Sequence, residues 1–176
     1  MDLWDLLGSE GDFVEVVPHR PEWTELFAQE RDAILAACAG VVLRVEHIGS
    51  TAVPGLSAKP ILDLMPGVKA SSDGAKAVEP MRAIGYECLG EYGIPGRLYF
   101  QKFREGRRVA HAHLFEIDSL PWRRHLLFRD LLRNDAGAAQ AYERLKRTLA
   151  ERFRNDRHAY TDGKAGFIEW LLARAR

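Results

Sequence analysis

Residues 47–64 of the chain read HIGSTAVPGLSAKPILDL, and this stretch decides the fold. The apolar and β-branched residues 41–48 predict a strand, and residues 61–65 predict a second strand that is apolar on both faces apart from Asp63. The Gly, Pro and Ser content of the intervening residues 49–60 predicts a loop. An apolar character on both faces is typical of a central strand that helices cover. The pattern therefore places a polar loop between two strands of a buried sheet.

The rest of the chain predicts mixed helices and strands, followed by helices alone. One helix begins at Pro21 and ends near Gly40, and another covers residues 71–84 with a break at Pro80. The remaining predicted elements are a short strand over residues 13–17, a hairpin of residues 98–104 and 107–117, and helices over residues 119–133, 135–153 and 160–175. Residues 1–12 are either a docking helical turn or a frayed extension. This order predicts a single α/β (α+β) domain over residues 1–176, with a mixed sheet, flanking helices and a C-terminal helical segment.

Composition and charge narrow the class of protein. The 176 residues are enough for one domain with a substantial core, and the 25 basic and 25 acidic side chains give a net charge of zero. A neutral balance argues against broad nucleic-acid binding. Residues 1–96 nevertheless hold 7 basic and 15 acidic side chains, whereas residues 97–176 hold 18 and 10. This asymmetry is typical either of an anion-binding half or of two halves that attract each other.

The cysteines and the N-terminal sequence predict the compartment. Cys38 and Cys88 form neither a disulfide framework nor a C-x-x-C pair, which is typical of a reducing environment. The acidic start of the chain lacks the basic region and long apolar run of a signal peptide, and no stretch has the length of a membrane span. We therefore expect a cytoplasmic protein with no membrane partner, and the sequence leaves its oligomeric state open.

The loop after the first predicted strand carries residues suited to phosphate. Gly49, Ser50 and Thr51 offer unobstructed backbone N–H groups and hydroxyls, which suit phosphate oxygens. Asp63 on the next strand can hold a divalent cation such as Mg²⁺ or Mn²⁺ against the same phosphates, and Lys59 can neutralise further charge. The spacing alone fits equally well a tight glycine turn beside a buried aspartate.

A second group of candidate ligands is His111-Ala112-His113. On a strand, His111 and His113 point to the same face and Glu116 to the other. Two imidazoles supply metal ligands only with a third partner, and Asp63 on a neighbouring strand is the natural one. If both histidines are ligands, Zn²⁺ is the expected ion. The alternative is a hydrogen-bonded polar pair on a half-buried strand.

Basic side chains are frequent on the C-terminal helices, and most of them fit solvated helix faces. Two tyrosine–lysine pairs stand apart because their members are four residues apart and share a helix face: Tyr142 with Lys146, and Tyr160 with Lys164. A ring beside a cation can stack on a base while the charge meets a phosphate. The same spacing also fits the ordinary packing of a lysine stem on a ring.

Residues 47–64 resemble the signature of the GrpB family, which is assigned to the nucleotidyltransferase superfamily fold. The likeness runs from about residue 14 onward and continues through residues 111–114, residues 128–130 and the two tyrosine–lysine pairs. The resemblance implies a mixed sheet with flanking helices and a Gly-Ser turn that leads to a metal-binding Asp63. It also singles out Arg129, Lys146 and Lys164 as side chains that reach anionic oxygens near Ser50.

Met65 departs from the pattern of active members of the wider superfamily, which carry a second carboxylate at that position. Side chains two apart on a strand share a face, and a thioether is a poor ligand for Mg²⁺. Two hypotheses follow. In the first, the protein binds a nucleotide or another phosphorylated small molecule and transfers a nucleotidyl or phosphoryl group, with Asp63 as the catalytic metal ligand. In the second, it is a non-catalytic module that binds a nucleotide or coenzyme A, related to domains fused to dephospho-CoA kinase.

Overall fold

A five-stranded mixed sheet forms the framework of the structure, a computed structural model that describes residues 1–175. Arg176, the last residue of the predicted domain, lies outside the described residues. The strands are β1 (Val42–Ile48), β2 (Leu62–Val68), β3 (Tyr86–Cys88), β4 (Leu98–Arg104) and β5 (Arg107–Glu116), in the order β1-β2-β5-β4-β3. β2 and β5 run parallel, and the other neighbouring pairs are antiparallel. The predicted strand at residues 41–48 and the predicted hairpin are confirmed.

Helices flank this sheet and confirm the predicted α/β fold class. They are α1 (Glu22–Ala37), α2 (Val78–Ala83), α3 (Leu120–Asn134), α4 (Ala136–Arg152), α5 (Arg157–Asp162) and α6 (Ala165–Ala173). α4 begins where the side chain of Asp135 accepts a hydrogen bond from the backbone N–H of Ala138, at 2.9 Å. Within the described residues, no helix combines the length and the apolar character that crossing a membrane requires.

β2 is covered on both faces, as its apolar sequence predicts. On one face Leu62 and Leu64 pack in the main core, which includes Trp23 of α1 and Met81 of α2. On the other face Met65 packs in a separate cluster with Ile48, Phe115 and Trp122. The second face is thus apolar where α3 covers it, and its polar side chains lie further toward the start of β2.

The N-terminal segment differs from the predictions. Residues 13–17 form no strand, because Val17 makes only an isolated bridge with Ala58 before Pro18 ends the pairing. Residues 1–12 are not a frayed extension: residues Leu3–Leu6 form a 3₁₀ turn, and Leu7 is 1 % exposed in the main core. Of the two alternatives for this segment, the docking turn is the one observed.

Two predicted helices are divided, and one strand escaped prediction. Residues 71–84 split into a 3₁₀ stretch (Ser71–Ala77) and the short α2, where Pro80 lies in the first turn and no helical hydrogen bond needs its missing N–H. The last predicted helix is broken between α5 and α6 at Gly163 and Lys164. β3 has three residues, too few for a visible alternation of apolar and polar side chains.

A buried polar cluster joins α1 to the β3–β4 edge of the sheet. Glu30, 4 % exposed, accepts hydrogen bonds from the hydroxyl of Tyr86 at 2.6 Å and from the ammonium of Lys102 at 2.8 and 3.0 Å. The polar groups of Glu30, Tyr86 and Lys102 therefore all have partners within the cluster. Removing the carboxylate would leave the Lys102 charge without its ion pair in a poorly hydrated place.

We expect Glu30→Ala to lower the free energy of unfolding by about 3–5 kcal/mol, because it leaves a buried cation unpaired. The matched control is Glu79→Ala in α2, whose partner is Arg82 and whose side chain is 75 % exposed. The control should cost about 0.5 kcal/mol or less, because exposed pairs contribute little. Urea unfolding followed by circular dichroism measures both; equal costs would show that the buried cluster does not stabilise the sheet edge.

Candidate functional site

A cavity of about 520 Å³ opens where β1 ends and β2 begins. The turn at residues 49–51 forms one wall, and strand side chains form the floor. Side chains of the C-terminal helices, including Tyr142, Tyr160 and Lys164, form the opposite side. The cavity thus lies between the acidic N-terminal half of the chain and the basic C-terminal half.

Asp63, His111 and His113 come together on the floor of the cavity. The parallel pairing of β2 with β5 places Asp63 opposite His111, and His113 follows two residues later on the same face. The Oδ1 atom of Asp63 lies 3.4 Å from Nδ1 of His111 and 3.3 Å from Nε2 of His113. One potential ligand atom from each residue lies within 4.8 Å of the others. The structure therefore brings together the three residues that the sequence predicts as metal ligands.

The ionised Asp63 and the neutral His111 suit a cation. Burial opposes ionisation of Asp63, but hydrogen bonds and charge from His111 and His113 outweigh it and hold the pKa of the carboxyl well below its usual range. Burial lowers the pKa of His111 to about 4, so this imidazole is neutral at physiological pH. A carboxylate and imidazole nitrogens are a donor set typical of Zn²⁺ and Mn²⁺ more than of Mg²⁺, which prefers oxygen.

Met65 provides no second carboxylate next to this group. Its side chain is fully buried between Ile48, Phe115 and Trp122, on the same face of β2 as Asp63. Within residues 1–175, Asp63, His111 and His113 are the only set of three acidic, histidine or cysteine side chains close enough to share an ion. The arrangement therefore offers protein ligands for one cation, not two.

The turn after β1 approaches Asp63 closely. Gly49 has φ of +70°, and a Cβ atom there would lie 2.7 Å from Oδ2 of Asp63. A hydrogen bond between the side chains of Thr51 and His47 stabilises the turn, with Oγ1 of the threonine 2.9 Å from Nε2 of the histidine. The Thr51 hydroxyl, which the sequence assigns to phosphate, thus already has a partner within the fold. Ser50 lines the cavity.

Two lysines face the cavity around one aromatic ring. The ammonium groups of Lys59 and Lys164 lie 5.2 and 4.6 Å from the ring centroid of Tyr160. Neither takes part in an ion pair in the described part of the chain. Burial lowers the pKa of Lys164, whereas burial and the nearby Lys164 charge lower the pKa of Lys59 to about 7. An anion placed between them would relieve this repulsion.

Lys146 and Arg129, which the family resemblance assigns to direct contacts with anionic oxygens, do not line the cavity. Lys146 is 1 % exposed and donates hydrogen bonds to the Ser50 hydroxyl at 3.0 Å and to the carbonyl of Ser57. It thus reaches the cavity only through Ser50. Arg129 lies outside the cavity lining, because Glu46 at 2.9 Å and the neighbouring Asp130 already neutralise it. Arg129 is therefore not part of the proposed site.

The structure adds side chains that the sequence analysis did not assign to the site. Arg97 donates hydrogen bonds to the carbonyls of Glu91 and Tyr92 and lies 3.3 Å from Nδ1 of His113. His125, which has no partner at metal-ligand spacing in the sequence, lies beside His113 with ring centroids 5.7 Å apart. Arg97 directly precedes β4 and His125 lies on α3, so their proximity to His113 depends on the pairing of β4 with β5 and on the packing of α3.

Comparison with solved structures defines the fold class of this site. The chain matches terminal uridylyl transferase 4 from Trypanosoma brucei with bound dUTP at a TM-score of 0.57 and 12 % identity, covering 90 % of this chain and 55 % of that one. At this identity the match concerns the fold alone. The protein therefore has a nucleotidyltransferase-like α/β fold.

The sequence comparisons identify the family. The family model described as GrpB protein matches residues 13–174, and the chain belongs to the GrpB family. The crystal structure of conserved protein GrpB from Enterococcus faecalis matches at a TM-score of 0.83 and 35 % identity, covering 92 % of this chain and 96 % of that one. A UPF0157 protein from Pseudomonas aeruginosa is 40 % identical over 171 residues, which span 95 % of this chain and 69 % of the relative.

A longer relative contains a region similar to almost the whole chain. Dephospho-CoA kinase from Mycolicibacterium paratuberculosis is 28 % identical over a stretch that covers 92 % of this chain. That stretch is 46 % of the relative's own length, so this chain is similar to only part of that protein.

We expect Gly49→Ala to be more destabilising than Gly55→Ala. Both glycines have positive φ, +70° and +80°, but an added Cβ at Gly55 meets nothing within 4 Å, whereas one at Gly49 meets the Asp63 carboxylate. Gly55→Ala should cost about 1 kcal/mol for the strained backbone, and Gly49→Ala about 2–4 kcal/mol because overpacking adds to it. Urea unfolding measures the difference, and equal costs would contradict the close approach.

We expect Lys59→Met to stabilise the protein most at low pH. The folded-state pKa of Lys59 is about 7 and its ordinary value is 10.5, so the unfolded chain binds more protons between these values. The buried lysine is therefore destabilising below pH 7, and this penalty fades as the pH rises toward 10.5.

The substitution should raise the free energy of unfolding by about 1–3 kcal/mol near pH 6, with a smaller gain near pH 10. Lys69→Met, at an exposed position, is the control and should change stability by about 0.5 kcal/mol or less at either pH. A gain for Lys59→Met that does not depend on pH would show that packing, not charge, is responsible.

Proposed function

We propose that the cavity binds a nucleotide or a closely related phosphorylated small molecule together with one divalent metal ion. The observation that carries this proposal is the juxtaposition, in one cavity, of a carboxylate–imidazole group with two lysines outside any described ion pair. A divalent cation would pair with the carboxylate–imidazole group, and a phosphate would pair with the two lysines. The volume of about 520 Å³ suits a ligand of nucleotide size.

The phosphate end of the ligand would lie between the turn at residues 49–51 and the two lysines. Lys59 and Lys164 both line the cavity, and an ammonium group binds phosphate as a point charge. The Ser50 hydroxyl can donate a further hydrogen bond to a phosphate oxygen. Charge-assisted contacts of this kind are the strong ones in phosphate recognition.

The base or other planar part of the ligand has aromatic surface available. Tyr160 is buried against the two lysines, whereas Tyr92 is 43 % exposed and lines the cavity, so a base can stack on Tyr92. Tyr92 and Tyr99 stack on each other with ring centroids 5.0 Å apart, and both line the same cavity. Stacking tolerates every base, so this surface alone does not select one.

Asp63, His111 and His113 would hold the metal ion. A bound divalent ion polarises phosphoryl oxygens and offsets the charge that develops on them during transfer. In a nucleotidyl or phosphoryl transfer, Asp63 acts by holding that ion, while Lys59 and Lys164 neutralise the departing phosphate. Because Met65 removes the second carboxylate, we propose a mechanism with one metal ion and a larger contribution from the lysines.

Two observations favour a second candidate function, a binding module without catalysis. Met65 replaces the carboxylate with which active members of the superfamily hold a second ion, and a dephospho-CoA kinase contains a region similar to this chain. In that case the same cavity would bind a nucleotide or coenzyme A to control a neighbouring activity. Turnover distinguishes the two: binding without transfer to any of a broad panel of hydroxyl and amine acceptors favours the module.

Metal binding is expected to depend on the three floor residues. In calorimetry, Mn²⁺ and Zn²⁺ should bind the wild-type protein more tightly than Mg²⁺, and Asp63→Ala or His113→Ala should weaken binding by about tenfold or more. His158→Ala is the control, because this exposed histidine lines the cavity but belongs to no described cation group. Unchanged affinity in Asp63→Ala would refute the single-ion proposal.

Nucleotide binding is expected to depend on the two cavity lysines. Titrations of ATP, CTP and coenzyme A with and without Mn²⁺ should show binding that Lys164→Met weakens by about tenfold, because one charged contact to phosphate is lost. Lys69→Met is the control, since its ammonium is exposed elsewhere. If none of the three ligands binds the wild-type protein, the proposed function is wrong.

A further inference from the structure

Lys146 is an almost completely buried lysine with a serine hydroxyl as its partner. Its Nζ atom lies 3.0 Å from Oγ of Ser50 and also donates to the carbonyl of Ser57, and it takes part in no ion pair within residues 1–175. The charged groups that act on it are Lys164, Glu143, Arg147 and Lys59, of which three are cations. The ring of Tyr142 packs against it at 5.0 Å.

This environment makes the neutral amine accessible near neutral pH. Burial and the neighbouring Lys164 lower the pKa of Lys146 to about 7, whereas a lysine in water stays protonated at neutral pH. A neutral lysine has a lone pair that can accept a proton, and desolvation is how proteins make lysine a general base. The lone pair of Lys146 would have the Ser50 hydroxyl within hydrogen-bond distance.

Ser50, which is half-buried, is the member of this pair that lines the cavity. It lines the cavity in the turn that follows Gly49, on the same wall that would hold the phosphates. Ser57, the other serine near Lys146, differs because its hydroxyl donates to Glu143 at 2.7 Å and does not line the cavity. One hydroxyl thus meets both the buried amine and the ligand space.

We propose that Ser50 and Lys146 form a nucleophile–base pair, and that the protein transfers a nucleotidyl group from a nucleoside triphosphate to its own Ser50. This inference rests on the proposed function, since it needs a nucleoside triphosphate in the cavity. The Ser50 hydroxyl oxygen attacks the α-phosphorus, and its proton passes to Lys146. The bond between the α-phosphorus and the bridging oxygen breaks, pyrophosphate leaves, and a phosphodiester remains on Ser50. The step is a substitution at phosphorus and needs no oxidant or reductant.

The sequence alone does not predict this pair. Ser50 and Lys146 are 96 residues apart, and His47, the histidine nearest to Ser50 in the sequence, has the Thr51 hydroxyl as its partner. In serine–lysine pairs the nucleophile lies within hydrogen-bond distance of an amine that can be neutral. Ser50 and Lys146 share this geometry, and it is the basis for assigning them as nucleophile and base. The resulting covalent group would occupy the phosphate wall of the cavity and block the site for further ligands.

The test measures transfer of a radioactive label to the protein and the accompanying increase in the mass of the intact protein. The wild-type protein is incubated with Mn²⁺ and each of the four ribonucleoside triphosphates, labelled at either the α- or the γ-phosphate, and Ser50 is located by peptide mass spectrometry. A parallel metal-free reaction uses a fluorophosphonate probe, which forms the same kind of Oγ–P bond and releases fluoride. The variants are Ser50→Ala, Lys146→Arg and, as the matched control, Ser57→Ala.

We expect the α-label, but not the γ-label, on Ser50, and fluorophosphonate labelling of the same residue. Ser50→Ala should lose both. Lys146→Arg should slow both by roughly 10²-fold or more, because a guanidinium keeps the positive charge but does not accept a proton. Ser57→Ala should retain both. Circular dichroism and urea unfolding establish that each variant is folded, and Lys146→Gln replaces Lys146→Arg if the larger side chain disrupts the core.

Three results would overturn the inference. If calorimetry shows nucleotide binding but no α-label appears on Ser50, self-modification is wrong while the proposed function stands. If folded Lys146→Arg and Lys146→Gln react with the fluorophosphonate as fast as the wild type, Lys146 is not the base. If calorimetry shows no nucleotide binding, the proposed function fails, and self-modification fails with it.

Discussion

The parallel pairing of β2 with β5 is the constraint on which the rest of the site depends. This register places Asp63 opposite His111, and because side chains alternate along a strand, His113 falls on the same face. A shift of one residue would turn both histidines away from the carboxylate and toward the core that α1 covers. The cation group is therefore a direct consequence of strand register, and the apolar contacts of Met65 and Trp122 on the same face help to fix it.

The acidic N-terminal half and the basic C-terminal half of the chain meet at the cavity. The N-terminal half supplies Asp63 and the turn that approaches it, and the C-terminal helices supply Lys146 and Lys164. Part of the attraction is structural, since Arg129 pairs with Glu46 across the two halves at 2.9 Å. The cavity lysines have no such described partner, and their burial is destabilising without an anion. Fold stability and ligand binding thus make opposite demands on the same side chains.

The sequence predicted the parts of this arrangement that depend on local pattern. The strand–turn–strand at residues 47–64 and the common face of His111 and His113 follow from alternation and turn chemistry. The absence of a strand at residues 13–17, the short β3 and the break between α5 and α6 do not follow from local pattern, because tertiary contacts outweigh short local signals. Arg129 shows the same limit: its family match says nothing of Glu46, which holds it away from the cavity. The approach of Lys146 to Ser50 joins residues 96 apart, and no local pattern encodes it.

The most direct test of the central claim is X-ray diffraction from crystals soaked with Mn²⁺ and a non-hydrolysable nucleoside triphosphate analogue, with data collected near the manganese absorption edge. The account predicts one anomalous peak, about 2.0–2.3 Å from Asp63 and from the nitrogens of His111 and His113, with the phosphates between that peak and Lys164. A peak elsewhere, or a nucleotide bound in the cavity with no peak beside Asp63, would contradict it.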